Sequence, residues 1–456
     1  MVTITALPDD LLLKILSFLP SKAAVSTSIL SKQWEFLWMW VPKLEYDSGY
    51  DEEEEEPGIK EFIDKNLPLH RAPVIESLTL YFGKFSANHV KPEDLNLWVE
   101  IAVSRSVREL EIYYHLSNGG NIFPSSFYTC KSLVILELRG LIFMDVVPSM
   151  VSLPSLKTLI LVFVNLMDVP SMVSLPSLKT LQLDNVRYQG KDSLQKLLSS
   201  CPVLEDLSVD CLCDQSLKEF TIIVPSLQSL SLLIYHVDGY MIDTPSLKYF
   251  KLVNYSGNIE IKNMPMLREA YLDVLFYNLK SVVKSITSVK RLTICSEDVV
   301  YDDGFVFKEL EHLKICGCHK NSSILLTRLL HDSPNLRVLD ISYFKVHGCN
   351  DMVPWNQPSH VPKCLLSSLQ FFKWSQYFGR PQDRDIAVYI LKNACRLKTV
   401  TILADTKKHG VSNLSMIKEL TLSSRASSTC ELVFVEWHHV VLDESSTEES
   451  SDDEIV

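Results

Sequence analysis

Apolar positions recur along this chain in one short pattern, LxxLxL, with Val, Ile or Phe standing in for Leu. It reads IESLTL at Ile75, VRELEI at Val107, LVILEL at Leu133, LKTLIL at Leu156, LKTLQL at Leu178 and LEDLSV at Leu204. It continues as LQSLSL at Leu227, LKYFKL at Leu247, LREAYL at Leu267, VKRLTI at Val289, LEHLKI at Leu310 and LRVLDI at Leu336. Successive starts lie 32, 26, 23, 22, 26, 23, 20, 20, 22, 21 and 26 residues apart, and LKTVTI at Leu397 follows after a gap of 61. One stretch, VPSMVSLPSLKTL, is copied letter for letter at Val147–Leu159 and Val169–Leu181, an offset of 22 residues. Two apolar side chains at LxL share one face of a strand, because strand side chains alternate. A single such unit cannot bury its leucines, whereas stacked parallel strands share a continuous apolar core.

A period of 20 to 30 residues therefore predicts a solenoid of leucine-rich repeats over residues 73–345, a curved parallel sheet with irregular or short helical returns. The overall class is α/β. Prolines such as Pro154, Pro176, Pro202, Pro225, Pro245 and Pro265 mark turns before strands. Helical returns are predicted from Lys191 and from Asn321, where the segments are long enough. With the leucines committed inward, the residues between them line an exposed strand face. That row holds no carboxylate pair, catalytic triad or glycine-rich phosphate loop, so it suits protein recognition and no catalytic residue is assigned. Tyr249 and Tyr271 are expected to stand at matching positions on neighbouring strands with Lys251, Asp273 and Arg291 around them, an aromatic centre with a charged rim suited to a target protein.

The first residues have a different texture. Leu12, Ile15, Leu16 and Leu19 fall at helical spacing behind Asp9 and Asp10, and Pro20 ends that helix. A second helix is predicted from Ser21 through Ala24, Val25, Ile29 and Leu30, and a third through Trp34, Leu37 and Trp38. Some forty residues cannot bury so many large apolar groups alone, so a partner or the repeats should cover part of them. The stretch LPDDLLLKILSFLP, with SxLSKxW and LWxxVPxLxYD after it, resembles the F-box, a helical module that binds the Skp-type adaptor of cullin–RING ubiquitin ligases. The resemblance implies adaptor contacts from Leu7, Pro8, Leu12, Ile15, Leu16, Leu19, Pro20, Val25, Leu30, Trp34 and Leu37. The chain departs from the family pattern at Gln33, where Arg is usual, and at Ala23, where an acid is common; both are read as rim positions.

Toward the other end, the stretch from Trp355 to Ile402 and that from Met416 resemble the FBD module, which follows leucine-rich repeats in plant F-box proteins. Read from residues alone, it supplies strands at Leu369–Trp374, Leu397–Ile402 and Glu431–Glu436 and a helix at Arg384–Asn393. Two more repeat-like units of this kind could cap the open edge of the array. The expected organisation is an F-box over 1–47, an acidic linker and entry segment over 48–72, repeats over 73–345, the FBD module over 355–437 and an acidic tail over 443–456.

Charge changes the picture little. The net charge is −12, but Asp51–Glu56 contributes six acids and Asp443–Glu454 seven, leaving 43 acids against 44 bases elsewhere. No basic footprint of a nucleic-acid binder is present, nor a basic cluster that an inositol phosphate would need. Unbroken like charge predicts disorder in part of Tyr46–Gly58 and across Asp443–Val456. Asp9, Asp10 and Lys14 interrupt the first apolar stretch, against a secretory signal, and no run is long enough for a membrane span. The 11 cysteines then read as structural thiols of a reducing compartment. Cys211 with Cys213 and Cys316 with Cys318 beside His319 have CxC spacing, and no partner pair is evident for a zinc site.

The expectation is thus a non-enzymatic substrate-recognition subunit of an SCF-type ubiquitin ligase, in the cytoplasm or nucleus, without cofactor or metal and without nucleic-acid or membrane partners. The repeats would hold an unidentified target protein. The alternative is an interaction scaffold whose helical start merely caps the solenoid.

Overall fold

The computed structural model describes residues 7–48, 58–83, 90–115, 122–144, 149–166, 172–188, 192–211, 219–235, 237–254, 258–274, 279–297, 305–344, 353–405 and 413–436. The acidic run from Asp51 and the acidic tail, both expected to be disordered, lie outside these residues. The chain divides into two compact units, residues 1–290 with 300–305 and residues 291–299 with 306–456.

In the first unit the predicted solenoid is present as parallel strands, each paired with its neighbour in the LxxLxL series. Leu78 stands beside Leu110 and Leu80 beside Ile112, Leu207 beside Leu230 and Leu230 beside Phe250. Identical phase in every unit makes this register inevitable, since a slip by one residue would turn each leucine to the outside. The LxL pairs are buried, among them Leu110, Leu138, Leu161, Leu181, Leu230 and Leu252. The duplicated stretch pairs with its own copy, Thr158 beside Thr180 and Leu159 beside Leu181. Serines of the turns tie successive units together: Ser132 Oγ donates to the Val107 carbonyl at 2.8 Å and Ser226 Oγ to the Leu204 carbonyl at 2.7 Å.

Three features go beyond the expected pattern. The first strand of the array is Lys43–Asp47, paired with Ser77–Tyr81, so the stretch assigned to the end of the F-box already opens the sheet. Val41, Leu44 and Tyr46 keep the LxxLxL spacing and are buried, and Tyr46 belongs to this strand rather than to a disordered linker. The entry segment holds a helix at Ile59–Asn66, and another helix, Pro92–Ser104, buries Leu95, Trp98, Val99 and Ala102. Some returns form sheets of their own. Met150–Ser152 pairs with its duplicate Met172–Ser174, and Glu219–Ile223, Gly239–Asp243 and Asn258–Ile261 form a second parallel row. Phe220 and Tyr240 stack there at 5.1 Å.

Gly140 sits in the long strand Ile135–Met144 at φ 107°, where the register with Thr158–Leu166 shifts, and a Cβ there would collide with the Tyr114 carbonyl. The irregularity is thus built on a glycine.

Behind the first strands, His70 is buried, and burial, then the charge of Arg105, lower its pKa to about 4. The folded imidazole stays neutral where the unfolded one, near 6.5, already binds its proton. Between these values the unfolded chain takes up more protons, so stability is full above about pH 6.5 and declines as pH falls toward 4. His70→Gln should flatten this part of a melting-temperature-against-pH curve; an unchanged slope would remove His70 as its source.

The second unit is a parallel stack of Arg291–Ser296, His312–Cys316, Val338–Ser342, Phe371–Tyr377, Thr399–Ala404 and Glu431–Glu436. Returns here are helical: Ser322–Asp332, as predicted from Asn321, and Pro381–Asn393, three residues longer at its start than predicted. The helix Ser193–Ser199 of the first unit likewise meets the expectation from Lys191.

Candidate functional site

The N-terminal module is built around a small core of its own. Leu12 and Leu16, one turn apart on the helix Asp9–Leu16, meet Ala24 of the helix Ser21–Ser26 and Trp34, Leu37, Trp38, Met39 and Val41 beyond it. The third predicted helix is only a 3-10 turn, Leu37–Trp40, and the second tightens into one at Thr27–Ile29. Pro8 precedes the first helix, and Asp9 and Asp10 stand in its first turn, favourable to the helix dipole but not capping it by side chain. Gln33 is not a loose rim residue: its amide donates to the Leu7 carbonyl at 3.2 Å and to Asp9 Oδ1 at 3.0 Å, fastening the start of that helix. Ala23 is exposed.

This core corrects the adaptor-facing set. Leu12 and Leu16 are 0% exposed and Trp34 and Leu37 are buried, so they have no surface to offer a partner. Their place in the pattern comes from holding the module together. Leu7 and Val25 are half-buried against the same core. Ile15, Leu19, Leu30, Pro8 and Pro20 are exposed. Among the described residues of the module, Phe18 at 79% and Ile29 at 86% are the most exposed large apolar groups, and neither is among the expected adaptor contacts. Leu11 and Ile15 lie exposed on the helix Asp9–Leu16 beside the buried Leu12 and Leu16, and Phe18 and Leu19 follow in the turn after it. The module thus carries more apolar surface than its core uses. Leaving Phe18, Ile29 and Leu30 in water is unfavourable for a surface with no partner.

On the strand face of the first unit, Lys251 stands beside Tyr271 and Tyr249 beside Glu269. Tyr249 and Tyr271 therefore sit at diagonal, not matching, positions. Lys251 Nζ lies 5.8 Å from the Tyr271 ring centroid, a cation–π contact. Burial, then the charge of Glu269, raise the Tyr249 hydroxyl pKa. Asp273 is no rim residue: it is buried beside Val253, because the in–out alternation ends there and Leu272, Asp273 and Val274 are all covered. Arg291 belongs to the second unit, exposed and beside His312. The structure thus brings together Tyr249, Lys251 and Tyr271 of the predicted five. A second aromatic pair had gone unnoticed: Tyr81 and Tyr113, six residues after the start of their units, pair in register and stack at 4.5 Å. Tyr113 meets His115 at 3.1 Å, and Glu111 stands beside Glu137 in the same face. Burial, then Glu137, raise the Glu111 pKa.

Comparison with known proteins finds three matching families. The F-box domain matches residues 4–46, the LRR repeats of the FBD-associated F-box protein At5g56370 match 163–284, and FBD matches 357–402. The FBD-associated F-box protein At5g38590 of Arabidopsis thaliana is 56% identical over 428 residues, 91% of this chain and 97% of that one. The chain belongs to the FBD-associated F-box proteins. A second relative, FBD-associated F-box protein At4g10400 of Arabidopsis thaliana, is 54% identical over 436 residues, 94% of this chain and 99% of its own length. The F-box match ends within the first strand, Lys43–Asp47, which begins two residues after Val41, the last member of the helical module's core. The FBD match covers the strand Phe371–Tyr377 and the helix Pro381–Asn393 and stops inside Thr399–Ala404, so in this F-box protein the FBD region continues the repeat geometry. Among the described residues no helix is long and apolar enough to cross a membrane.

Proposed function

We propose that this F-box protein is the substrate-recognition subunit of an SCF-type cullin–RING ubiquitin ligase. Its helical module docks on a Skp-type adaptor, and the strand face of its repeats holds a target protein for ubiquitination. One observation carries the reading: the module folds on its own core and still presents Phe18, Ile29 and Leu30 to solvent beside Ile15 and Leu19. A mere cap on the solenoid would turn such groups onto the repeats. Leu7, Pro8, Pro20 and Val25 flank the contact, while Leu12, Leu16, Trp34 and Leu37 support it from within. The chain contributes position and orientation, and the bond-forming chemistry belongs to the other subunits.

The test is purification of the tagged full-length chain, with adaptor and target identified by mass spectrometry. Recovery of a Skp-type adaptor in near-equal amount supports the reading; capture of targets without any adaptor would replace it with the scaffold alternative. For the target face, Lys251→Ala with Tyr271→Ala removes the cation–π pair. It is expected to weaken target capture by about tenfold or more, as for a small hot spot, with adaptor recovery unchanged. Unaltered capture would move the site to another part of the face, Tyr81 and Tyr113 first.

A further inference from the structure

The register of the second unit brings a third cysteine to Cys316 and Cys318. Arg291–Ser296 and His312–Cys316 run parallel with Ile294 beside Ile315, which sets Cys295 next to Cys316 one residue further on. By strand parity both lie on the side of Thr293 and Lys314, away from the leucine core. They are buried nonetheless, because Tyr343, Phe344 and Phe378 pack over them in a cluster separate from that core.

The three sulfurs lie within 4.8 Å of one another, and those of Cys295 and Cys318 are 3.3 Å apart. Three thiolates around one ion at roughly 2.3 Å each stand about 4 Å from each other, inside this range. The Phe344 backbone N–H donates to Cys316 Sγ at 3.4 Å, a contact that favours a negatively charged sulfur. Gly317 allows the tight wrap between the two ligands, for a Cβ there would stand 2.9 Å from Cζ of Tyr343. His319, next to Cys318, bonds through Nδ1 to Glu297 at 3.1 Å, so an imidazole–carboxylate pair joins the two segments that carry the sulfurs. Other buried cysteines behave differently: Cys201 and Cys364 each donate to a backbone carbonyl, of Leu197 and Leu330.

We propose that Cys295, Cys316 and Cys318 form a binding site for one soft d10 metal ion, zinc or cuprous copper, held by three thiolates. An all-sulfur donor set selects such ions over hard cations. Binding transfers the three thiol protons to solvent and changes no oxidation state. Because the sulfurs bind as thiolates, uptake releases protons and strengthens as pH rises. The ion would tie the strands that carry the sulfurs, beneath Phe378 of the FBD match.

The experiment uses the full-length chain, reduced and anaerobic, offered zinc in one arm and cuprous copper in the other, with bound metal counted by mass spectrometry after gel filtration. About one ion per chain is expected in at least one arm, and the arm that loads identifies the ion. Cys295→Ser and Cys318→Ser should lose it, while Cys364→Ser keeps it. Cobalt(II) substitution in the unaltered chain should give a thiolate charge-transfer band, a readout that stands even if a variant fails to fold. The proposal is overturned if neither ion loads, if Cys295→Ser retains the metal, or if cobalt binds without that band.

Discussion

Ile29→Asp with Leu30→Asp is expected to abolish recovery of a Skp-type adaptor, a loss of a hundredfold or more, while the melting temperature of the chain stays where it was. Ile29 is 86% and Leu30 64% exposed, so neither contributes appreciably to the module's core. A carboxylate at such a position is solvated in the isolated chain and costs little. In a docked complex it would be stripped of water in an apolar contact without a counter-charge, which is strongly unfavourable. Leu12→Ala and Leu16→Ala supply the contrast. Both side chains are fully enclosed, so each truncation should cost about 2–5 kcal/mol of module stability through lost contact and a cavity. These variants too would lose adaptor, but with a lowered unfolding transition. Titration calorimetry against purified adaptor, run beside thermal unfolding, separates the two. Adaptor affinity that survives both aspartates would refute the docking role of this surface.

Asp383→Ala should be the most damaging single change in the FBD region, lowering the stability of the second unit by about 3–5 kcal/mol, as when one partner of a buried ion pair is removed. Asp383 is fully buried and receives Arg380 through Nε at 3.1 Å and through Nη2 at 3.0 Å. It also accepts the Arg380 backbone N–H at 3.2 Å at the start of the helix Pro381–Asn393. The guanidinium lies 5.1 Å over Phe378 and also bonds the Tyr343 hydroxyl, so it cannot swing out to water without unpacking that cluster. Burial raises the Asp383 pKa and Arg380 lowers it, with burial the larger effect. Asp385→Ala is the control: its pair with Arg384 is exposed at 3.3 Å and should be worth about 1 kcal/mol or less. Chemical denaturation of the two variants, followed by the fluorescence of the buried Trp374, measures the difference. Equal midpoints would show that the buried pair contributes little beyond its exposed counterpart.

The repeats were readable because their determinant is local. Period-two alternation assigns each leucine to one face within six residues, and the same phase in every unit leaves a single parallel register, from Leu78 beside Leu110 to Ile315 beside Ile341. Even the first unit of the sheet, Val41, Leu44 and Tyr46, carries the spacing. It was absorbed by the helical motif that overlaps it.

What alternation could not decide is which apolar group an element leaves uncovered. Leu12 and Ile15 lie three residues apart on one broad stripe, and only Trp34, Leu37 and Trp38 arriving from later in the chain make the first core and the second surface. The same holds at the strand ends. Asp273, Cys295 and Cys316 fall on the nominally exposed face by parity, yet all are buried. Tyr343 and Phe378, 48 and 83 residues beyond Cys295, close over the sulfurs, and nothing within a strand encodes that contact. Local sequence thus determined the repeat strands, their stacking and their pairing. Burial at the edges depends on which distant side chains converge, and there tertiary packing separated core from contact surface and gathered three scattered cysteines into one site.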